Sequence, residues 1–194
     1  MIGLAGCSEP TAGVVGTGPP VIVPDAPGSP GRTATPGERL QTSAEPVAAD
    51  VRFAEQMIPH HRQALEMTGL VAARTTTPAI RKVAERIALT QEPEIRRMTE
   101  WLAALGRTPD HAGHSAASMP GMATPQQMEA LRAARGAQFD RLFLELMIRH
   151  HEGALRMAKE ELAAGRDQQM LLMAKDVYSE QAIEITRMRE LAGS

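Results

Sequence analysis

The feature that most limits how this chain can fold is an internal repeat. Met57-Ile58-Pro59-His60-His61-Arg62-Gln63-Ala64-Leu65-Glu66-Met67 returns ninety positions later as Met147-Ile148-Arg149-His150-His151-Glu152-Gly153-Ala154-Leu155-Arg156-Met157. The same shift carries Asp50, Phe53 and Glu55 onto Asp140, Phe143 and Glu145. It also carries Gln91, Glu94, Ile95, Arg97, Met98 and Glu100 onto Gln181, Glu184, Ile185, Arg187, Met188 and Glu190. Two copies of one structural unit in one chain pack most simply about a pseudo-twofold axis, which brings the two histidine pairs face to face.

Periodicity makes each unit helical. Phe53, Met57, His60, Ala64, Met67 and Val71 form one stripe, and Ala54, Ile58, His61, Leu65, Thr68 and Ala72 the stripe beside it. Arg62, Gln63 and Glu66 fall outside both. Pro59 predicts a kink just before the first His pair. Thr77-Pro78 reads as an N-cap and first turn of a helix that Pro93 bends and Gly106 stops. Thr124-Pro125 opens the next helix, with Gln127 completing a capping box. That helix runs to Gly165 with a break near Gly136, and Asp167 caps the last one. No segment alternates as a strand would. The expectation is an all-α domain over 50–194: a four-helix bundle of two helical hairpins, 50–106 and 125–194, joined by a linker, 107–124.

The chain's 194 residues hold only one such domain, and acids and bases are interspersed to a net charge of −2. That argues against a nucleic-acid groove or a membrane-surface helix, each of which needs a basic stripe. Residues 8–49 are rich in Pro, Gly, Ser and Thr and poor in large apolar side chains, a composition suited to a flexible tether. Leu4-Ala5-Gly6-Cys7 reads as the end of a lipoprotein signal, so residues 1–7 are taken as its remnant with Cys7 as the acylated residue. The protein is then extracytoplasmic and touches the membrane only through that anchor. A homodimer is compatible with the sequence. With a single cysteine, no disulfide forms within the chain.

Neighbouring residues on a helix differ in direction by about 100°, so His60 and His61 point to different places, yet each lies on an apolar stripe. The same holds for His150 and His151. An apolar core has no use for four imidazoles, and burying one without a partner costs roughly 1–3 kcal/mol. Metal ligation by at least one His of each pair is the leading explanation. A histidine–glutamate hydrogen-bond network tying the hairpins together is its rival. Met57 and Met147 lie one turn before the histidines, and Met67 lies two turns beyond His60. Gln91, Glu94 and Met98, with Gln181, Glu184 and Met188, share a face from which carboxylates and amides could orient the rings. A second candidate site lies in the linker, where His111, His114, Met119 and Met122 occur in a polar, Gly- and Pro-flanked loop.

Imidazole with thioether suits copper, Cu(I) above all. Zinc rarely takes Met. Iron in such bundles is held by Glu-x-x-His motifs, and the residues three before the four histidines are Met57, Ile58, Met147 and Ile148. Zinc, nickel and iron stay as alternatives. No Ser–His–Asp arrangement, phosphate-cradling loop or nucleophilic cysteine is visible, so an ion-binding role is favoured over an enzymatic one.

Met57-Ile-Pro-His-His61, Met147-Ile-Arg-His-His151, the Gln91–Met98 segment and Met119-Pro-Gly-Met122 resemble the hallmark of a bacterial family known as domain of unknown function 305. The resemblance runs from about Asp50 to the C-terminus. It implies a ferritin-like four-helix bundle, secreted or periplasmic, with some members binding copper. Carried over position by position, it implies His60, His61, His150, His151, Met57, Met67, Met147 and Met157 as ligands. Arg149 departs from the proline of the first copy, which puts the equivalence of the two halves in question. Two further readings stand beside a copper-handling protein: a structural or partner-binding bundle with hydrogen-bonded histidines, and a ferritin-like metal-dependent oxidoreductase.

Overall fold

The computed structural model describes residues 20, 22–23, 32–37, 46–108 and 119–193. Cys7, His111 and His114 lie outside the described residues. The chain divides into two units, Met1–Ala44 and Glu45–Ser194. In the first, β1 (Ile22–Val23) pairs antiparallel with β2 (Arg32–Thr33), a two-residue pairing inside the stretch read as a tether.

The second unit is all-α: α1 (Ala48–Arg74), α2 (Pro78–Ala104), α3 (Pro125–Ala133), α4 (Gly136–Ala164) and α5 (Gln168–Ala192). Pro59 and Pro93 sit inside α1 and α2 without ending them. The expected break near Gly136 is a full interruption at Ala134–Arg135, making α3 a separate short helix. Thr124 accepts from the Gln127 N–H and Asp167 from those of Gln169 and Met170, so both caps form. Thr77 stands at the N-cap position of α2, yet its hydroxyl makes no cap. It donates to Oδ2 of the half-buried Asp140 at 2.6 Å instead. None of the described helices is long and apolar enough to cross a membrane.

Two polar clasps show how the hairpins meet. Asp50, at the start of α1, accepts from the backbone N–H groups of Arg166 and Asp167 in the α4–α5 turn. Asp140, near the start of α4, accepts from Thr77 in the α1–α2 turn. Asp50 and Asp140 are repeat mates, and so are Asp167 and Thr77. Each hairpin therefore grips the other's turn, which makes α1 and α4 antiparallel and sets the twofold axis across them. Where the helices cross, the histidines form the middle layer. Apolar clusters lie on either side: Phe53, Ala54, Met57, Ile58, Met98, Leu102 and Met157 in one, and Ala64, Met67, Phe139, Phe143, Leu146, Met147 and Met188 in the other.

Beside the Asp50 clasp lies a buried carboxyl without a donor. Glu161 is 1 % exposed and neither of its oxygens reaches a hydrogen-bond partner. Burial pushes its pKa up to about 8, and the adjacent Asp50 carboxylate adds to the rise. Asp50 goes the other way: burial opposes its charge, but the N–H groups of Val47 and Asp167, the neighbouring Glu161 carboxyl and the Arg166 N–H outweigh that and lower its pKa. A carboxyl with a raised folded pKa contributes stability that is complete below its ordinary value near 4.5 and is lost as pH rises to about 8. Between pH 6.5 and 8.5 the wild-type melting temperature should fall by several degrees. Glu161→Gln, which offers an amide donor to Asp50 and has no proton to lose, should melt at a constant temperature there. An equal slope in the variant would remove Glu161 from the account.

Candidate metal centre

All four repeat histidines are 0 % exposed. The rings of His60 and His150 stack with centroids 3.6 Å apart and a 31° tilt, which places the two copies in direct contact at the axis. His151 is the next ring out, 6.2 Å from His150.

Each imidazole has one nitrogen tied and one left over. His61 Nε2 donates to Glu94 Oε2 and His151 Nε2 to Glu184 Oε2, both at 2.8 Å. His150 Nε2 donates to the His60 carbonyl at 2.9 Å, and His60 Nε2 to the Pro120 carbonyl at 3.1 Å. Carbonyl and carboxylate oxygens can only accept, so all four Nε2 atoms carry the proton. The four Nδ1 atoms are all buried without a partner. Unfilled acceptors at such depth are costly, and a ring oriented through one nitrogen with the other free is how metal-ligating histidines are held.

Charge follows the same logic. Burial, reinforced by the neighbouring His61, holds the His60 pKa down to about 3. Burial and the facing His60 push His150 well below the usual imidazole range. Both rings are neutral at physiological pH, the form that ligates.

The expected histidine–glutamate bonds exist, but they do not tie the hairpins together. His61–Glu94 joins α1 to α2 and His151–Glu184 joins α4 to α5, each within one hairpin. Among the histidines, the contacts between hairpins are the His60–His150 stack and the bond to the His60 carbonyl. Of the groups expected to orient the rings, only the two glutamates do so; Gln91 and Gln181 are buried with both amide atoms unpartnered. Met98 and Met188 lie in the apolar clusters.

The methionines are partitioned. Met57, Met98 and Met157 belong to one apolar cluster, and Met67, Met147 and Met188 to the other. Met57 and Met147 therefore lie on opposite sides of the histidine layer rather than at one point. Antiparallel α1 and α4 cause this: one turn before His60 and one turn before His150 lead in opposite directions. Each side receives one methionine from each of three repeat positions, giving two matched sets of thioethers about the imidazoles. Among the described residues, no three His, Cys, Asp or Glu side chains come together as a metal site. An ion here would have to be completed by thioether sulfur, and an imidazole–thioether set fits copper(I).

The linker departs from expectation. Expected to be a polar loop, it places its described segment Met119–Thr124 on the bundle, with Met119 buried at 7 % exposure. Gly121, at φ +80°, turns the chain so that it crosses α4 at Gly153. A Cβ on Gly153 would strike the Pro120 carbonyl and come within 2.9 Å of the Gly121 Cα. Gln63 fixes Ala123 at both ends, donating to its carbonyl at 3.0 Å and accepting from its N–H at 2.7 Å. Arg149 donates to the Met122 carbonyl and to Gln127 Oε1. Gln63, Arg149 and Gly153 were not read as functional, though a signal existed: of the four mismatches in the core repeat, two are Pro59/Arg149 and Gln63/Gly153.

The glutamates give a direct measurement. Glu94→Ala and Glu184→Ala each free one imidazole to turn, and each should weaken Cu(I) affinity by about 10- to 100-fold while leaving helical content unchanged. Unaltered affinity in both would mean that His61 and His151 take no part.

None of the curated proteins compared matches the chain. A DUF305 protein from Streptomyces coelicolor, described as a candidate secreted protein, is 33 % identical over 74 % of this chain and 91 % of its own, with a TM-score of 0.70. A DUF305 fragment from Deinococcus radiodurans is 30 % identical over 77 % of this chain and 99 % of its own, with a TM-score of 0.72. CopM in its Cu(I)-bound form is 29 % identical over 73 % of this chain and 94 % of its own, with a TM-score of 0.63. CopM is also known in Cu(II)-bound and Ag-bound forms. With the family model matching residues 50–192, the chain belongs to the family described as Domain of unknown function (DUF305).

Proposed function

We propose that this protein binds copper, as Cu(I), through the repeat histidines and the thioethers beside them, and holds or hands on the ion without transforming a substrate. The observation that carries this reading is the set of four buried Nδ1 atoms, each without a partner while its ring is fixed through Nε2. The ligands are drawn from His60, His61, His150 and His151, with Met57 and Met157 on one side and Met67 and Met147 on the other. The copper- and silver-bound forms of CopM support the choice of a soft ion. Zinc, nickel and iron are weaker candidates, since among the described residues the carboxylates bonded to the histidines, Glu94 and Glu184, are spent on Nε2–H groups. That use also weakens the ferritin-like oxidoreductase reading. A purely structural bundle accounts for the two glutamate bonds but leaves the four Nδ1 atoms unexplained.

His111, His114, Met119 and Met122 make a second, outer candidate site. The chain would act outside the cytoplasm, tethered through acylated Cys7. The Leu4–Cys7 run and the description of the S. coelicolor relative as a candidate secreted protein support this.

The test is an anaerobic Cu(I) titration of the full chain against a colorimetric chelator. Withdrawal of Cu(I) from the chelator supports the reading. Failure to withdraw any ends it and leaves the structural bundle.

A further inference from the structure

We propose that the segment Met119–Ala123 is the gate of the histidine layer, opening on the His60 side only. The inference rests on the copper reading above and adds a route by which the ion arrives.

Four imidazoles that are 0 % exposed need an opening. Parting α1 from α4 would break the ring stack and both apolar clusters together. The strap, by contrast, is five residues of non-helical chain whose hold is mainly polar. Its bonds are the His60 Nε2–H to the Pro120 carbonyl, the two Gln63–Ala123 bonds, and the Arg149 bond to the Met122 carbonyl. Apolar anchorage is limited to the Ala123 methyl, which belongs to the cluster of Met67 and Met147, while the buried Met119 belongs to neither cluster. Local opening takes the least costly route, and here that route is the strap.

The gate is one-sided because the repeat is broken where the strap lies. Gly153 stands where the first copy has Gln63, and it alone leaves room for the Pro120 carbonyl. Arg149 stands where the first copy has Pro59. Twofold symmetry would have His60 Nε2 donate to the His150 carbonyl, as His150 Nε2 does to that of His60. Pro120 takes that place, and a Cβ on Gly121 would lie 3.0 Å from the His150 carbonyl oxygen. Lifting the strap therefore strips the acceptor from His60 alone. That ring is freed to turn or to exchange tautomers, while the other three stay fixed.

The experiment is stopped-flow transfer of Cu(I) from a colorimetric chelator complex to the full-length protein, without oxygen. Gly153→Ala, whose Cβ meets the Pro120 carbonyl, and Gln63→Ala, which removes both bonds to Ala123, loosen the strap while leaving every ligand proposed for the histidine layer in place. Hydrogen exchange at the Ala123 amide reports the loosening. Transfer should be roughly tenfold faster in each variant, with equilibrium affinity within about threefold of wild type, because lost hydrogen bonds raise the open population and not the intrinsic affinity. Faster Ala123 exchange with an unchanged transfer rate overturns the gate while the copper reading stands. Absence of Cu(I) binding by the wild type overturns both. If Gly153→Ala fails to fold, Gln63→Ala alone decides.

Discussion

Replacing His60 and His150 together by alanine should lower Cu(I) affinity by more than about 100-fold, beyond the ten- to hundredfold that follows loss of a group that merely orients a ligand. The two rings are one unit, stacked at 3.6 Å across the repeat axis, and each brings a bare Nδ1 to the centre of the bundle. Removing both takes away the imidazole donors that α1 and α4 present at their crossing and leaves thioethers flanking a void. Apo stability should respond much less. The alanines leave a cavity, but they also delete two buried, half-satisfied polar rings, and those terms oppose each other. The chelator titration, read beside thermal melting of the same samples, separates the outcomes. A folded double variant that binds Cu(I) as tightly as wild type would move the site to His61 and His151 or to the outer cluster.

The repeat is what made so much of this readable beforehand. A ninety-residue shift that matches Asp50 to Asp140, His60 to His150 and Glu94 to Glu184 already implies two hairpins, a shared axis and facing histidines. The first stripe of α1, Phe53 to Val71, is buried at every position because 3.6-residue periodicity translates directly into a face. Direction along the axis was not legible. Nothing in either copy says that α1 and α4 run antiparallel, and so nothing separated Met57 from Met147. That follows from the Asp50 and Asp140 clasps, which are contacts between residues more than sixty positions apart. The strap was missed for a related reason. A Pro- and Gly-rich stretch reads as a loop by composition, and only the space left by Gly153 shows that this one is seated. Two of the four mismatches in the core repeat were the clue: Arg149 and Gly153 stand where the second copy accommodates the strap.

Acid should unfold the apo protein through the same histidines. In the unfolded chain His60 takes up a proton near pH 6.5, whereas burial holds it neutral in the folded state down to about 3. Across that window the unfolded state binds more protons, so stability falls as pH falls. The gap corresponds to roughly 5 kcal/mol for His60 alone, a large share of what a domain of this size has to lose. His150 is shifted in the same direction and adds to it. Glu161 acts oppositely between about 4.5 and 8, so the histidine effect is cleanest below pH 4.5, where Glu161 is protonated folded or unfolded. Asp50 joins the loss only below its ordinary range. Circular dichroism against pH should show a cooperative loss of helix on acidification, and His60→Gln, with no proton to gain, should shift its midpoint down by about one pH unit or more. Cu(I) on the Nδ1 atoms should protect in the same direction, since a ligand bound only by the folded state stabilises it. If His60→Gln left the acid midpoint unchanged, the protons that unfold the bundle would be taken up elsewhere, and the neutral, metal-ready state of the central pair would lose its support.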